Sequence, residues 1–400
     1  MEQRRKNLTQ LFIPICLETL LYMLSGMVDT LMLSSVNDQA VGAVGTANTY
    51  IGIFIIMFSV ISSGMVAVMT QNIGAGRPGV AYQARQLGLA FNAVLGVIMS
   101  LFLSLGAGTI LSGVGVADAL MQPAKTYLQI VGGFCILNAL IPICSSYLRA
   151  FGFSKEPLYA SIIGNVINFC LNAFFLFVLH KGVAGVATAT VISRIINLVI
   201  VVLLGAVLVK AKQHPERESN RAVMGQIIRI GLPSACETAI YNVSMTLVIR
   251  FLNQMDAQGL NVTARSYTMQ ITNFSYCVGA ALAQANAIMT GWHIGAKEYD
   301  ACDRGTKKAA VIGVIVAVIL ETVFTLCSGW IMQLFSKDPQ MVSLVGKLLA
   351  IDIVLEIGRV TNLVYGQALK TSGDAVFPVV MGACFMILCS VGGTYLFGIR

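Results

Sequence analysis

The sequence predicts an all-α polytopic membrane protein, in which two lobes of six helices form a parallel repeat and the second lobe lacks its last helix. Three observations lead to this fold class: the composition, the recurrence of long apolar runs, and an internal repeat. Of the 400 residues, 56% are hydrophobic and only 11% are charged, whereas an ordinary soluble domain carries about 25% charged residues. This composition excludes a soluble enzyme.

Long apolar runs recur along nearly the whole chain, and a run of about 20 residues is enough to cross a bilayer as a helix. Loop residues such as Gly, Pro, Asn and Asp separate these runs. Eleven spans are predicted, at roughly 11–33, 40–70, 84–111, 121–149, 155–179, 183–209, 226–252, 262–291, 305–335, 339–370 and 375–398.

The distribution of basic residues predicts the orientation of these spans. The net charge of +8 comes from 26 Lys and Arg against 18 Asp and Glu. With a cytoplasmic amino terminus, 17 basic residues fall on the cytoplasmic side and 7 on the other, which is the bias that sets membrane topology. The charge therefore indicates orientation rather than nucleic-acid binding, and we expect the first span to be retained rather than cleaved as a signal peptide.

The longest polar stretch, residues 210–221, lies just past the middle of the chain. A polar segment between two sets of apolar runs is typical of a linker between two bundles. We therefore predict three parts of the chain: an amino-terminal lobe over 1–210, a cytoplasmic linker over 211–225, and a carboxy-terminal lobe over 226–400.

An internal repeat relates the two lobes at an offset of 219 to 221 residues. Six spans separate the copies, so both lobes keep the same orientation in the membrane, as in transporters built from parallel repeats. Lobes of this kind enclose a central cavity. The matched segments are 13–19 with 232–238, 73–75 with 294–296, and 148–152 with 369–373.

The repeat also explains the odd number of spans. At an offset of 221, Arg400 corresponds to Leu179, at the end of the fifth predicted span. The partner of the sixth span is then absent, and we expect a carboxy-terminal truncation or a fragment. A natural protein of eleven helices is the alternative, although one lobe would then expose a face that its twin covers.

Several short motifs resemble those of the multidrug and toxic compound extrusion (MATE) transporters. They are residues 28–30 (Val-Asp-Thr), 71–75 (Gln-Asn-Ile-Gly-Ala) and 164–168 (Gly-Asn-Val-Ile-Asn), together with Leu-Arg/Lys-x-x-Gly at 148–152 and 369–373. The resemblance spans the whole chain. It implies twelve helices in two lobes of six, and export of cationic, amphipathic compounds in exchange for protons or sodium ions.

An ionisable residue inside a membrane is costly, so each one is a functional candidate. On the first helix Glu18, Tyr22, Ser25 and Asp29 have spacings of 4, 3 and 4, which place them on one face. We expect this stripe to face the interior of the lobe. Asp29 lies about 16 Å beyond Glu18 along the helix, near its outer end.

The resemblance carries the cation or proton coupling site of the first lobe onto Asp29, Asn168, Asn172 and Thr190. Where many relatives have a second acid, this chain has Asn172, so Asp29 is the one carboxylate of this predicted pocket. A single acid favours a proton over sodium. The asparagines could instead serve as hydrogen-bonding groups between helices.

In the second lobe Glu237 repeats Glu18, whereas Val248 stands at the position of Asp29. Some relatives hold a cation with a seventh-helix Glu and a tenth-helix Asp, and Arg359 stands at the second of these positions. Glu356 and Arg359 are spaced to form an i,i+3 ion pair. We predict a second-lobe polar site of Glu237, Glu356 and Arg359, with a structural, gating or cation-binding role.

Further predictions concern bending, metals and cofactors. Pro14 lies inside the first helix and removes one backbone hydrogen bond, so we expect a kink or packing role there. The three histidines, His180, His214 and His293, are not clustered with Cys, Asp or Glu at ligand spacing, so no metal site is expected. No P-loop is found. We expect no cofactor, and energy from a proton or sodium gradient.

The leading hypothesis is a secondary active antiporter that exports cationic or amphipathic organic compounds, not an enzyme. The alternative within transport is a flippase or exporter of lipid-linked or other metabolites from the same superfamily, and an integral-membrane enzyme or receptor is a third possibility. We expect a monomer in the plasma membrane, as in a bacterial inner membrane, whose partners are a small organic cation, H⁺ or Na⁺, and the lipid bilayer. Binding of nucleic acid is not expected.

Overall fold

The computed structural model describes residues 6–34, 38–113, 116–210, 214–255, 260–333 and 338–398, and these residues form helices joined by short connections. The chain divides into two compact units, Met1–Gly231 and Leu232–Arg400. The boundary falls inside a helix, two residues before Pro233, and not within the polar segment 211–225. Arg400, on which the expectation of a missing helix rests, lies outside the described residues.

Within its described residues, the first unit contains eight α-helices and the start of a ninth. A π-helical turn, Leu128–Gly132, follows the fifth helix, and a second, Phe174–Val178, extends the seventh. The helices are α1 (Leu8–Ser34), α2 (Asp38–Gly74), α3 (Pro78–Leu105), α4 (Ala107–Gly113), α5 (Asp118–Tyr127), α6 (Ile136–Ala150), α7 (Lys155–Ala173), α8 (Gly182–Leu208) and α9 (Asn220–Met255).

The part of the second unit that the structure describes contains the rest of α9 and six further α-helices. In it α10, α11 and α13 pack against one another around a core that includes Ile271, Val345 and Leu349. A π-helical segment, Met386–Gly392, joins the last two helices. The helices are α10 (Leu260–Gly295), α11 (Tyr299–Leu326), α12 (Ser328–Met332), α13 (Pro339–Ser372), α14 (Val376–Phe385) and α15 (Gly393–Gly398).

Seven of the described helices are long and apolar enough to cross a membrane, and the bent pair of α5 and α6 makes an eighth if both belong to one span. The helices α9, α10 and α13 fall outside this group. In α9 and α10 the hydropathy is lowered by polar residues such as Asn, Gln, Ser and Thr. In α13 the charged side chains of Lys347, Asp352, Glu356 and Arg359 interrupt the apolar run. The count of eleven spans therefore stays a prediction.

The predicted span 121–149 is not one straight helix. It consists of α5, a π-helical turn and α6, with a bend of 42° between Asp118–Gly132 and Ile136–Ala150. The break lies beside the pair Gly132 and Gly133. Paired glycines and π-helical turns are recognised causes of sharp bends, because both disturb the regular backbone hydrogen bonds. Pro14, in contrast, lies within a continuous α1, and the predicted kink there remains a prediction.

The polar segment before α9 packs against the amino-terminal end of α3. Glu216 accepts a hydrogen bond from the backbone N–H of Gly79 at 3.3 Å, and Glu218 pairs with Arg77 at 2.5 Å. Gln83 bonds both the N–H and the C=O of Glu218. Acidic groups at a helix amino terminus are favoured by the helix dipole. α9 begins at Asn220, within the predicted linker 211–225, and residues 211–213 lie outside the described residues.

Helix α3 approaches α6 closely at Asn92, Gly96 and Ser100, which lie one turn apart. The side chain of Asn92 donates to the carbonyls of Phe58 and Ala139, and Ser100 accepts a hydrogen bond from the backbone N–H of Ile136 at 3.0 Å. Between them, a Cβ added at Gly96 would lie 2.9 Å from the Cα of Ile136. Small residues at such spacing let membrane helices approach closely.

We expect Gly96→Leu to destabilise the first unit by about 1–3 kcal/mol, the usual cost of overpacking a tightly packed interior. The added side chain meets the backbone of α6, which is unable to move aside as a flexible side chain would. Thermal unfolding in detergent measures the effect. Gly45→Leu on α2 is the matched control, because no atom lies within 4 Å of a Cβ added there. Equal unfolding temperatures for the two variants would contradict the close approach.

Candidate coupling site and second-lobe carboxylates

Asp29 lies near the end of α1, opposite two asparagines of α7. The side-chain amide of Asn172 donates to Asp29 Oδ1 at 2.6 Å and to Asn168 Oδ1 at 3.2 Å. Asn172 is fully buried and Asn168 is 5% exposed, whereas Asp29 is half-buried. The α-helix ends one residue after Asn172, where the π-helical turn begins. Such turns occur often at functional sites.

Hydrogen bonds join three of the four residues predicted for this site. The fourth, Thr190 on α8, is buried, and its hydroxyl donates to the carbonyl of Val186, four residues earlier in the same helix. Arg194, one turn further along α8, adds a positive charge that acts electrostatically on Asp29.

The other acid of α1 lies in a different environment. Glu18 pairs with Arg149, the penultimate residue of α6, at 2.6 Å, and the two side chains are only 14% and 10% exposed. Ser161 on α7 contacts the other carboxylate oxygen at 3.4 Å. Glu18 is thus neutralised inside the unit. The predicted stripe does not face inward throughout, because Tyr22 is 67% exposed.

The second unit repeats this ion pair. Glu237 on α9 pairs with Lys370 near the end of α13, and both are at the positions that the internal repeat matches to Glu18 and Arg149. At the position of Ser161 stands Gly382, where an added Cβ would lie 3.8 Å from Glu237 Oε1. The surroundings are alike in both units, apart from the hydroxyl.

Of the predicted second-lobe polar site, Glu356 and Arg359 form the expected i,i+3 pair, at 2.6 Å. The carboxylate of Glu237 pairs with Lys370, so its part in the same site stays a prediction. Arg149 and Lys370 end the predicted spans 121–149 and 339–370. In the structure both are buried near the ends of helices, and each pairs with an acid of its own unit.

The partners of Glu356 and Arg359 are two further acids and a serine. Arg359 bonds Asp352 at 3.1 Å, and Ser275 on α10 donates to Glu356 Oε1 at 3.0 Å. Glu321 on α11 completes a group in which one oxygen each of Glu321, Asp352 and Glu356 lie within 4.8 Å of one another. Glu321 and Glu356 are fully buried.

Sequence analysis missed Glu321. The signal was present, since Glu321 is an acid within the apolar run 311–326, and an intramembrane acid is a functional candidate by default. The expectation of no metal site rested on the three histidines, none of which is near Glu321 in the sequence. Three carboxylates from two helices are oxygen donors of the kind that hard cations prefer, and their meeting depends on packing between α11 and α13.

Comparison with known proteins identifies the family of the chain. A family model described as MatE matches residues 14–174 and 233–396, one match in each half of the chain. The uncharacterized transporter YisQ of Bacillus subtilis (strain 168) is 33% identical over 393 residues, covering 97% of this chain and 86% of that protein. The probable multidrug resistance protein NorM of Thermotoga maritima is 22% identical, over 94% of this chain and 82% of NorM.

Solved structures show the same fold. A crystal structure of MATE in the straight conformation superposes with a TM-score of 0.89 at 18% identity, covering 98% of this chain and 88% of that one. A MOP superfamily transporter from Pyrococcus furiosus gives a TM-score of 0.84 at 18% identity, with the same coverage. The resemblance in the motifs is therefore confirmed, and the chain belongs to the MatE family of multi-pass membrane transporters, which move small organic compounds and are not enzymes.

Proposed function

We propose that the protein is a secondary active antiporter that exports cationic or amphipathic organic compounds in exchange for protons. The observation that carries this proposal is Asp29, an acid in the outer part of a membrane helix whose Oδ1 is held by the buried amide of Asn172. Intramembrane acids of this kind mark proton and ion pathways. The printed names of NorM and related proteins, as multidrug resistance proteins, support export of drug-like compounds.

The surroundings of Asp29 favour protons over sodium ions. Asn172 donates to Oδ1, which leaves Oδ2 to take up a proton. Arg194 supplies positive charge near the carboxylate, and a metal cation beside a guanidinium is repelled, whereas protonation merely removes one charge. With one carboxylate and two amides, the site also offers little negative charge to a metal ion.

In this mechanism the carboxylate alternates between two states. Ionised Asp29 attracts a cationic substrate or a proton, and protonation cancels that attraction and releases the substrate. A ligand shifts a conformational equilibrium only by its difference in affinity between the states. Protonation supplies that difference here, because it removes the negative charge that attracts the cationic substrate.

The alternative, a flippase of lipid-linked metabolites, is less well supported. A phosphate-bearing substrate needs free basic groups in the transport pathway. Within the described helices, Arg149, Lys370 and Arg359 each pair with carboxylates at close range, and Arg194 acts on Asp29. Each of these four bases thus has an acid of the protein near it.

Efflux from proteoliposomes tests the proposal. A fluorescent organic cation is loaded, and its release is followed under an imposed pH gradient or an imposed sodium gradient, with protein-free liposomes as the baseline. Release driven by the pH gradient is expected. Release driven by sodium alone would contradict proton coupling at Asp29, and no release under either gradient would contradict export of organic cations.

A further inference from the structure

Arg194 lies in the middle of α8 and differs from three other bases of the membrane helices. Arg149, Arg359 and Lys370 each contact a carboxylate directly. Arg194 forms neither an ion pair nor a hydrogen bond with the described residues, and Asp29 acts on it only through space. A guanidinium inside a membrane helix is costly unless it is paired or faces water. Its unused donors therefore indicate a ligand.

The guanidinium of Arg194 points into the first unit and not towards lipid. It acts electrostatically on Tyr127, the last residue of α5, and on Cys135, which precedes α6, and both of these side chains are buried. Arg194 is itself half-buried, so a ligand can reach its nitrogens. The exposed apolar side chains of the same stretch of α8 lie on another face of the helix, at Ile195, Val199 and Leu203.

Asp29 and Arg194 give this pocket two opposite charges that lie near each other without being bonded. The amide of Asn172 holds Oδ1 of Asp29, and Oδ2 accepts no hydrogen bond from the described residues. In a direct ion pair, each charged group would use the bonding capacity of the other. Here both groups keep that capacity, so the pocket offers a ligand one negative and one positive group.

The two charges of this pocket sum to zero, which limits the ligands that it favours. The amides of Asn168 and Asn172 are neutral, so they leave the balance unchanged. A compound with only a positive charge is attracted by Asp29 and repelled by Arg194, and a compound with only a negative charge meets the reverse. A compound that carries both charges on separate groups is attracted at both.

We propose that the first unit binds an amphoteric organic compound, with its cationic group at Asp29 and its carboxylate at Arg194. A planar guanidinium can donate two parallel hydrogen bonds to a carboxylate, which makes it a selective partner for that group. Arg194 then selects compounds with a carboxylate over purely cationic ones. The site rests on the proposed function and narrows its substrate class, since protonation of Asp29 still releases the cationic group.

Binding of two dyes to the purified protein in detergent tests this selection. Rhodamine B carries a cationic ring system and a free carboxylate, whereas its ethyl ester keeps the cation and lacks the carboxylate. Fluorescence polarisation, without any gradient, gives the dissociation constant of each dye. The wild type is expected to bind rhodamine B at least roughly tenfold more tightly than the ester, since a hydrogen bond between charged groups contributes that much.

Arg194→Gln should remove this preference. It is expected to weaken binding of rhodamine B by roughly tenfold, and to leave binding of the ester equal or tighter because the repelling charge is gone. Lys181→Gln removes an exposed base just before the same helix, so it is the matched control and should keep the wild-type preference. Asp29→Asn should weaken binding of both dyes, because both carry the cation.

Three outcomes would overturn the site: a wild type that binds the ester as tightly as rhodamine B, a wild type that binds neither dye, or an equal loss of both dyes in Arg194→Gln. If Arg194→Gln fails to fold, Arg194→Lys replaces it. Lysine keeps the charge without the two parallel donors, so the preference should fall, and an unchanged preference overturns the site. Failure of gradient-driven efflux contradicts only the proposed function, because dye binding needs no gradient.

Discussion

Asp29→Asn is expected to lower proton-driven efflux to the leak rate of protein-free liposomes. Asparagine keeps the size of the side chain and can still accept a hydrogen bond from Asn172, but it has no proton to exchange. The coupling step is thus removed while the packing of α1 against α7 is kept. Dye release under a fixed pH gradient, normalised to the amount of protein reconstituted, measures the loss.

The control for this variant is Asp118→Asn, which changes an exposed acid at the start of α5. Efflux by this variant should equal that of the wild type. The unfolding temperature of Asp29→Asn should stay near the wild-type value, which excludes misfolding as the cause. Coupled efflux retained by a folded Asp29→Asn protein would rule out Asp29 as the proton carrier.

Arg149→Gln is expected to destabilise the protein by about 3–5 kcal/mol, the usual cost of removing one partner of a buried ion pair. The cause is the carboxylate of Glu18, which remains largely buried and loses its counter-charge. Lys370→Gln should act in the same direction through Glu237, to a smaller extent because Glu237 is 28% exposed. Thermal or denaturant unfolding in detergent measures both.

The double variant Glu18→Gln/Arg149→Met separates pairing from packing. With both charges gone, no uncompensated charge is buried, so the double variant should be more stable than Arg149→Gln alone. Asp303→Asn removes one partner of the exposed pair with Lys307 and should leave stability near the wild-type value. If the loss of stability in the double variant equals the sum of the losses in Glu18→Gln and Arg149→Met, the two side chains act independently.

Much of the fold follows from composition and spacing. Apolar runs locate the helices, because the side chains of a membrane helix must either be buried in the protein or face lipid. The helix ends extend past these runs, as at Asn220 and Gly295. The pair of Glu356 and Arg359 could be predicted because both residues lie on one helix, where a spacing of three fixes their proximity.

The remaining contacts depend on tertiary packing and not on spacing along a helix. Glu18 and Arg149 are far apart in sequence, so spacing along one helix does not predict their contact. The repeat held a usable signal, since both halves keep an acid and a base in their matched segments. The apolar run around Glu321 marks it as a candidate, but its position opposite Asp352 depends on the packing of α11 against α13.

The acid–base pair found in both halves also indicates the order of events in the evolution of this chain. A feature present at matching positions of two copies was present in the single gene before it duplicated. The ancestor therefore already joined the helices that correspond to α1 and α6 by an ion pair. Asp29 with its asparagines, and Glu321 with its neighbours, each occur in one half, so the halves diverged at these positions after the duplication. The ion pair within each half is thus older than the differences between the two halves at Asp29 and Glu321.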